Sequence, residues 1–219
     1  MKAARVLMMM VTFLWMVKAV MVEAGDGKAI FDAKKCGDCH LTAGPNTDKT
    51  FADKLKRKGT DLWFAGSKYK KEWLVEWMKN PVTIRPMEYN SIEKKNPGNH
   101  PKLSAEESRD VADYLMALKS KDVAGGVIQE GMGGIQGKIV FEKKQGCFGC
   151  HQIKKAGKVT GGLTGPSLAE AGKRLNGDWI YAYLKDPKPL IPVKRMPIYA
   201  GILTDADMKA VAGYLTTLK

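Results

Sequence analysis

The scarce residues carry most of the information in this 219-residue chain, which has four cysteines and three histidines. All four Cys and two of the three His fall in two pentapeptides, Cys36-Gly-Asp-Cys39-His40 and Cys147-Phe-Gly-Cys150-His151. No cysteine is left over for a disulfide framework or a Cys-rich zinc site. No apolar run reaches the ~20 residues that cross a bilayer, because Lys18 cuts short the run from Val6 to Val17. Absent too are a phosphate-cradling glycine loop, a nucleophile–base set and any spare metal-ligand cluster. No convincing run alternates apolar and polar residues as strands do. The bulk composition, 44% hydrophobic and 27% charged, excludes a disordered chain, a collagen-like fibre and a polytopic membrane protein.

What is present begins with Lys2 and Arg5, an apolar core, and Val22-Glu23-Ala24 as a small-residue cleavage site. This pattern predicts a secretory signal over residues 1–24, with an uncleaved membrane anchor as the alternative. Either places the rest of the chain outside the cytoplasm, in the periplasm of a bacterium. The formal charge is +13, and it falls to +11 when 1–24 and their three basic and one acidic side chains are subtracted. Such a field steers association with an acidic surface, with a scattered, solvating set of lysines as the alternative. An exported chain seldom meets nucleic acid, so no nucleic-acid role is expected.

The remainder repeats itself. Gly27-x-x-Ile30-Phe31 precedes the first CxxCH, and Gly137-x-Ile139-Val140-Phe141 precedes the second. Trp73-Leu-x-x-Trp-Met-Lys79-Asn80-Pro81 answers Trp179-Ile-x-x-Tyr-Leu-Lys185-Asp186-Pro187. Ala112-Asp-Tyr114-Leu115 near the end of one half answers Ala212-Gly-Tyr214-Leu215 in the other. The predicted organisation is a first domain over 25–121, a Gly-rich flexible linker over 122–136 and a second domain over 137–219. Both halves read as mostly helical. Helices are expected over Lys70–Lys79 and Asp178–Lys185, each halted before a proline. Ser104-x-x-Glu107 is a capping box for the last helix of the first half, and Thr204 is the N-cap of its counterpart.

Two cysteines three positions apart sit about one helical turn from each other, so both thiols can add to the vinyl groups of one porphyrin. The histidine that follows reaches the iron as its axial ligand. Two copies in an exported chain predict two covalently attached haem c groups, held by Cys36, Cys39, Cys147 and Cys150, with His40 and His151 on the irons. Two short-range disulfides are the rival reading, and it gives no reason for the two histidines.

These motifs resemble the class I cytochrome c family, twice over. The resemblance implies an all-α fold, two small helical domains in tandem, each wrapped round one haem. It implies that a first helix crosses a last helix through an aromatic pair, here Phe31 with Tyr114 and Phe141 with Tyr214. Gly165-Pro166 is similar to the family's turn whose proline carbonyl accepts from the proximal imidazole. Gly44-Pro45 follows His40 by only five residues and departs from that spacing. The family's sixth ligand is usually a methionine before the last helix, and Lys194-Arg195-Met196-Pro197 matches its Met-Pro signature, which implies Met196.

The first half leaves its sixth ligand open. Met87 follows His40 by 47 residues, close to the 45 between His151 and Met196, which favours Met87. Yet Arg85-Pro86-Met87 inverts the Met-Pro order, and the longer loop behind it contains His100, the alternative ligand. The resemblance implies an electron carrier between periplasmic redox partners, not an enzyme. An acidic redox protein would dock near Lys34, Lys35, Lys143, Lys144, Lys154 and Lys155, which flank the motifs. The alternatives are a haem subunit fixed to an oxidoreductase, and small-molecule chemistry or sensing at an open first iron. Membrane association would require the N-terminal segment to be retained.

Overall fold

A computed structural model describes residues 25–219. The segment read as a signal lies outside the described residues. Among the described residues no helix is long and apolar enough to cross a membrane.

The first half runs through α1 (Gly27–Ala33), α2 (Phe51–Leu55), α3 (Ala65–Lys68), α4 (Lys71–Lys79) and α5 (Ala105–Ala117). The second runs through α6 (Gly134–Ile139), which continues as a wider π turn over Val140–Lys144, then β1 (Gln152–Lys155), β2 (Lys158–Gly161), α7 (Ala171–Arg174), α8 (Gly177–Lys185) and α9 (Asp205–Thr216). Among the described residues the fold is all-α apart from one antiparallel hairpin, β1 with β2. That hairpin leaves no clear alternation in the sequence, because it is four residues a side and its Val159 faces solvent. Its turn, Ala156-Gly157, is left-handed at both positions, the geometry that suits a two-residue hairpin loop.

Local chemistry explains the helix ends. Ser104 Oγ accepts from Glu107 N at 3.1 Å and Glu107 Oε2 accepts from Ser104 N at 2.9 Å, completing the capping box of α5. Thr204 Oγ1 accepts from Asp207 N at 3.1 Å at the start of α9. α4 and α8 stop at Lys79 and Lys185, two residues before Pro81 and Pro187. In each half the first helix crosses the last. Phe31 meets Tyr114 with ring centroids 5.6 Å apart, and Phe141 meets Tyr214 at 6.0 Å. Gly27 and Gly137 make these crossings possible, since a Cβ at either would collide with the carbonyl of Asp110 or Ala210.

The two halves share one continuous hydrophobic core. Their junction is reciprocal, with equivalent residues 106 positions apart. Asn176 N donates to Lys68 O at 2.9 Å, and Lys70 N donates to Arg174 O at 3.0 Å. The Lys68 ammonium lies 4.7 Å from the Trp179 ring centroid, while the Arg174 guanidinium lies 5.8 Å from that of Trp73. Each half thus places a cation on the other's tryptophan.

The Gly-rich linker is not free, contrary to expectation. The Asp178 carboxylate accepts from the backbone N–H groups of Gly126, Val127 and Ile128 at 2.8, 2.9 and 2.7 Å. Val123, Val127 and Ile128 also pack against the core. The glycines lend the backbone the freedom to wrap that carboxylate, and the wrapped segment then buries its few apolar side chains.

Candidate haem sites

Each CxxCH forms the same tight turn. A left-handed residue opens it, Lys35 (φ 55, ψ 32) in the first half and Gly146 (φ 59, ψ 30) in the second. One turn of 3₁₀ helix follows, over Cys36–Asp38 and Cys147–Gly149. His40 N and His151 N then donate to the carbonyls of Cys36 and Cys147, both at 3.0 Å. All four thiols are free, and Cys39 and Cys150 are exposed.

The imidazoles are fixed by their second nitrogen. His40 Nδ1 lies 2.8 Å from Thr60 O, and His151 Nδ1 lies 2.8 Å from Pro166 O. A carbonyl only accepts, so Nδ1 carries the proton and Nε2 is left as the free donor to a metal. Burial pushes the pKa of both rings below the ordinary histidine value, which keeps them neutral, the form that ligates.

Thr60, rather than Pro45, holds the first imidazole. Gly59-Thr60-Asp61-Leu62 is the counterpart of Gly165-Pro166-Ser167-Leu168. A Cβ on Gly59 would sit 2.8 Å from His40 Cε1, and one on Gly165 would sit 2.5 Å from His151 Cε1. Leu62 N donates to Leu41 O at 2.7 Å, and Leu168 N donates to Gln152 O at 2.8 Å, each closing the loop onto the residue after the histidine. Gly44-Pro45 lies instead against the Trp63 indole. The shared signal was Gly-x-x-Leu at the 106-residue offset of the tryptophans.

The remaining predicted ligands lie in the loops before the last helices. Met196 is half-buried against the core. Three residues on, Tyr199 touches the Cys147 thiol, and burial with that contact pushes the Tyr199 hydroxyl up to about 12. Met87 pairs its backbone with Lys95 in a loop closed by Glu88 N to Lys94 O at 2.9 Å and Asn96 N to Pro86 O at 3.0 Å. Asn90 ties that loop to the end of α2, donating to Lys54 O at 2.6 Å and to Arg57 O just beyond the helix at 3.2 Å. The His100 ring lies 6.1 Å from the His40 ring and 4.6 Å from that of Trp77.

The donor set fits a porphyrin. Among the described residues no three His, Cys, Asp or Glu side chains converge as a cage for a bare ion. Each half instead offers two thiols and one tethered imidazole, which suits a metal that brings four ligands of its own. A haem also brings two carboxylates. Among the described residues Trp63 Nε1 and Trp179 Nε1 are buried donors with no partner, and Lys68 and Arg174 lack a carboxylate partner. Burial lowers the Arg174 guanidinium to about 10, so an anion beside it would be welcome.

Comparison with known proteins agrees. The sequence profile of the family described as Cytochrome c matches residues 24–119 and again 135–219. The chain belongs to the cytochrome c family. A relative, Cytochrome c2 iso-2 of Magnetospirillum molischianum, is 36% identical over 89 residues, covering 33% of this cytochrome and 91% of that one. A chain from the Kuenenia stuttgartiensis reducing HAO-like protein complex covers 89% of this cytochrome and 96% of its own length, at 15% identity and a TM-score of 0.33. Cytochrome c domains are electron-transfer modules built on covalently attached haem c. The mostly helical architecture, twice repeated, is the one they require.

Of the six lysines that flank the motifs, three are paired. Lys34 bonds Glu107 at 2.8 Å, Lys155 bonds Glu142 at 2.9 Å and Lys144 bonds Asp207. Lys35, Lys143 and Lys154 are exposed and form no ion pair among the described residues.

Proposed function

We propose that this cytochrome carries electrons between periplasmic redox partners through two covalently held haems, and that it is not itself an enzyme. The observation that carries this reading is the duplicated site: two free thiols on one turn, followed by an imidazole whose Nδ1 is spent on a backbone carbonyl. Bound haem supplies reversible one-electron chemistry at iron. The chain does the rest. Cys36 and Cys39, with Cys147 and Cys150, would hold the two porphyrins as thioethers. Thr60 O and Pro166 O orient His40 and His151 and raise their basicity toward the iron. Met196 would supply a neutral thioether to the haem of the second half, a ligand that favours ferrous iron. Lys35, Lys143 and Lys154 surround the attachment turns and draw in an acidic partner.

Intact mass and the pyridine haemochrome of the exported protein test the core of this reading. Two haems per chain, bound through thioethers, are expected, together with loss of residues 1–24. A chain carrying one haem or none overturns it. Reduction by an acidic donor should slow steeply with added salt, and Lys35→Glu with Lys154→Glu should weaken that dependence. A rate indifferent to salt would remove the docking role of those lysines.

A haem subunit held against an oxidoreductase is the second reading. Ile135 and Ile139 favour it, since they lie one turn apart on α6 and are 78% and 42% exposed. Copurification at fixed stoichiometry, lost in Ile135→Ser with Ile139→Ser, would establish it.

A further inference from the structure

We infer that His100, and not Met87, is the second axial ligand in the first half, so that His40 and His100 hold one iron as a bis-histidine pair. The inference rests on the haem reading above and concerns only how this chain completes that site.

Ring separation is the first observation. The His40 and His100 centroids are 6.1 Å apart, with 50° between their planes. Two metal–imidazole bonds of about 2 Å, plus the ring radii, place two imidazoles that share a metal about 6 Å apart. Protonation is the second. His100 Nδ1 lies 2.9 Å from Pro101 O, so it carries the proton, as His40 Nδ1 does toward Thr60 O. Nε2 is the free nitrogen of both rings.

Neighbouring residues hold His100 where it is. The Trp77 ring lies 4.6 Å from it, and Trp77 is fixed by donating Nε1 to Val82 O at 2.9 Å. Leu103 N donates to Met78 O at 3.0 Å, and Lys102 Nζ reaches Asn80 Oδ1 at 3.3 Å. These bonds bind residues 102–103 to the end of α4. Met87 is engaged differently, in a loop that closes on itself through Lys95 and is tied to α2 by Asn90. The loop is longer than its counterpart: 16 residues separate Met87 from Ser104, against 7 between Met196 and Thr204. On this assignment, those extra residues deliver His100.

Two imidazoles stabilise ferric iron more than an imidazole and a thioether do, so the first half has the lower potential. Electrons would therefore rest on the second half, beside Met196, and the first half would be the natural entry.

The test uses the exported, two-haem protein. Its haem count is fixed by mass first, and a chain without two haems overturns the haem reading and this inference together. With two haems present, the ferric wild type should show one methionine–iron far-red band per chain rather than two, and magnetic circular dichroism should show one bis-histidine iron. Redox titration should give two separated waves. Met196→Ala should abolish the far-red band, and Met87→Ala should leave it and both waves unchanged. His100→Ala should open the first iron to carbon monoxide, and His100→Met should restore a low-spin iron and raise the lower wave. Two methionine–iron bands in the wild type, or an opened first iron in Met87→Ala with none in His100→Ala, would overturn the assignment. The wild-type spectra decide it even where a variant fails to fold.

Discussion

The two halves of this cytochrome are closest where they would face the proximal side of a haem and diverge on the opposite side. The turn from Lys35 to His40 matches that from Gly146 to His151 in its left-handed entry, its 3₁₀ turn and its hydrogen bonds. The glycine that clears each imidazole is matched as well. By contrast, the loop before the last helix holds an inverted Pro-Met and a distant histidine in one half and Met-Pro in the other. Attachment and orientation are thus duplicated. The choice of sixth ligand is where the proposed haem sites of the two halves would differ.

The junction gives the largest expected contrast. Trp179 is 7% exposed, stacks on Tyr183 at 5.1 Å and lies 6.2 Å from Phe64 of the first half. Its equivalent Trp73 is half-buried and stacks between Tyr69 and Trp77. Trp179→Ala should lower the unfolding free energy by ~3–5 kcal/mol, and Trp73→Ala by about half as much. Urea unfolding of the haem-loaded protein measures both. If the two losses were equal, the reciprocal contacts would matter and the difference in burial would not.

Next come the glycines that clear the imidazoles. Gly59→Ala and Gly165→Ala put a methyl 2.8 Å and 2.5 Å from the Cε1 atoms of His40 and His151. Each should cost about 1–3 kcal/mol by overpacking and weaken the axial bond of its own half only. A shift in the reduction potential of that half's iron alone, read by redox titration, checks this. A perturbation that crossed into the other half would break the picture of two independent proximal sites.

Much of this architecture was legible in the sequence, and what was missed shares a physical cause. The CxxCH turns, the Ser104–Glu107 cap and the ends of α4 and α8 are written in side chains or prolines that act within a few residues. Thr60 escaped notice because a carbonyl does its work, and any residue can supply a carbonyl. The linker's docking escaped for the same reason: Asp178 reads three backbone N–H groups that leave no mark in a Gly-rich stretch. The exchange of Lys68 and Arg174 across the junction joins residues about 100 positions apart, so only the repeat offset hinted at it. The sixth ligand of the first half stayed open because spacing alone favoured Met87, while ring geometry favours His100.

A smaller contrast lies where the last helices begin. In both halves a lysine before the CxxCH bonds the acid at the third position of the last helix, Lys34 with Glu107 and Lys144 with Asp207. Glu107 is exposed enough for water to screen it, whereas the Asp207 side chain is 8% exposed and also accepts from Gln136 at 3.1 Å. The hydrogen bond from Lys144, aided by those from Gln136 and Thr204, outweighs burial and lowers the Asp207 carboxyl to about 2. A carboxyl depressed in the folded state adds stability above its unfolded pKa of about 4, and that stability is lost as pH falls from there toward about 2. Asp207→Asn should therefore cost about 1–2 kcal/mol at neutral pH and progressively less below pH ~4. Glu107→Gln should cost less throughout. Thermal unfolding at several pH values checks both, and a constant penalty for Asp207→Asn would show that shape, not charge, holds that cap.

The smallest contrast is also the cleanest, because it isolates backbone conformation. Lys35 and Gly146 occupy the same left-handed position with φ values of 55 and 59. A Cβ on Gly146 would meet nothing within 4 Å, so packing plays no part. A side chain in that region costs about 1–2 kcal/mol, while a glycine loses about 0.5–1 kcal/mol more chain entropy on folding. The balance favours glycine. Lys35→Gly should stabilise the protein by about 0.5–1 kcal/mol, and Gly146→Lys should destabilise it by a similar amount, with both haem spectra unchanged. If Lys35→Gly were neutral or harmful, the lysine would be contributing something at that turn beyond its backbone, and the exposed ammonium beside the first attachment site would be the place to look for a partner.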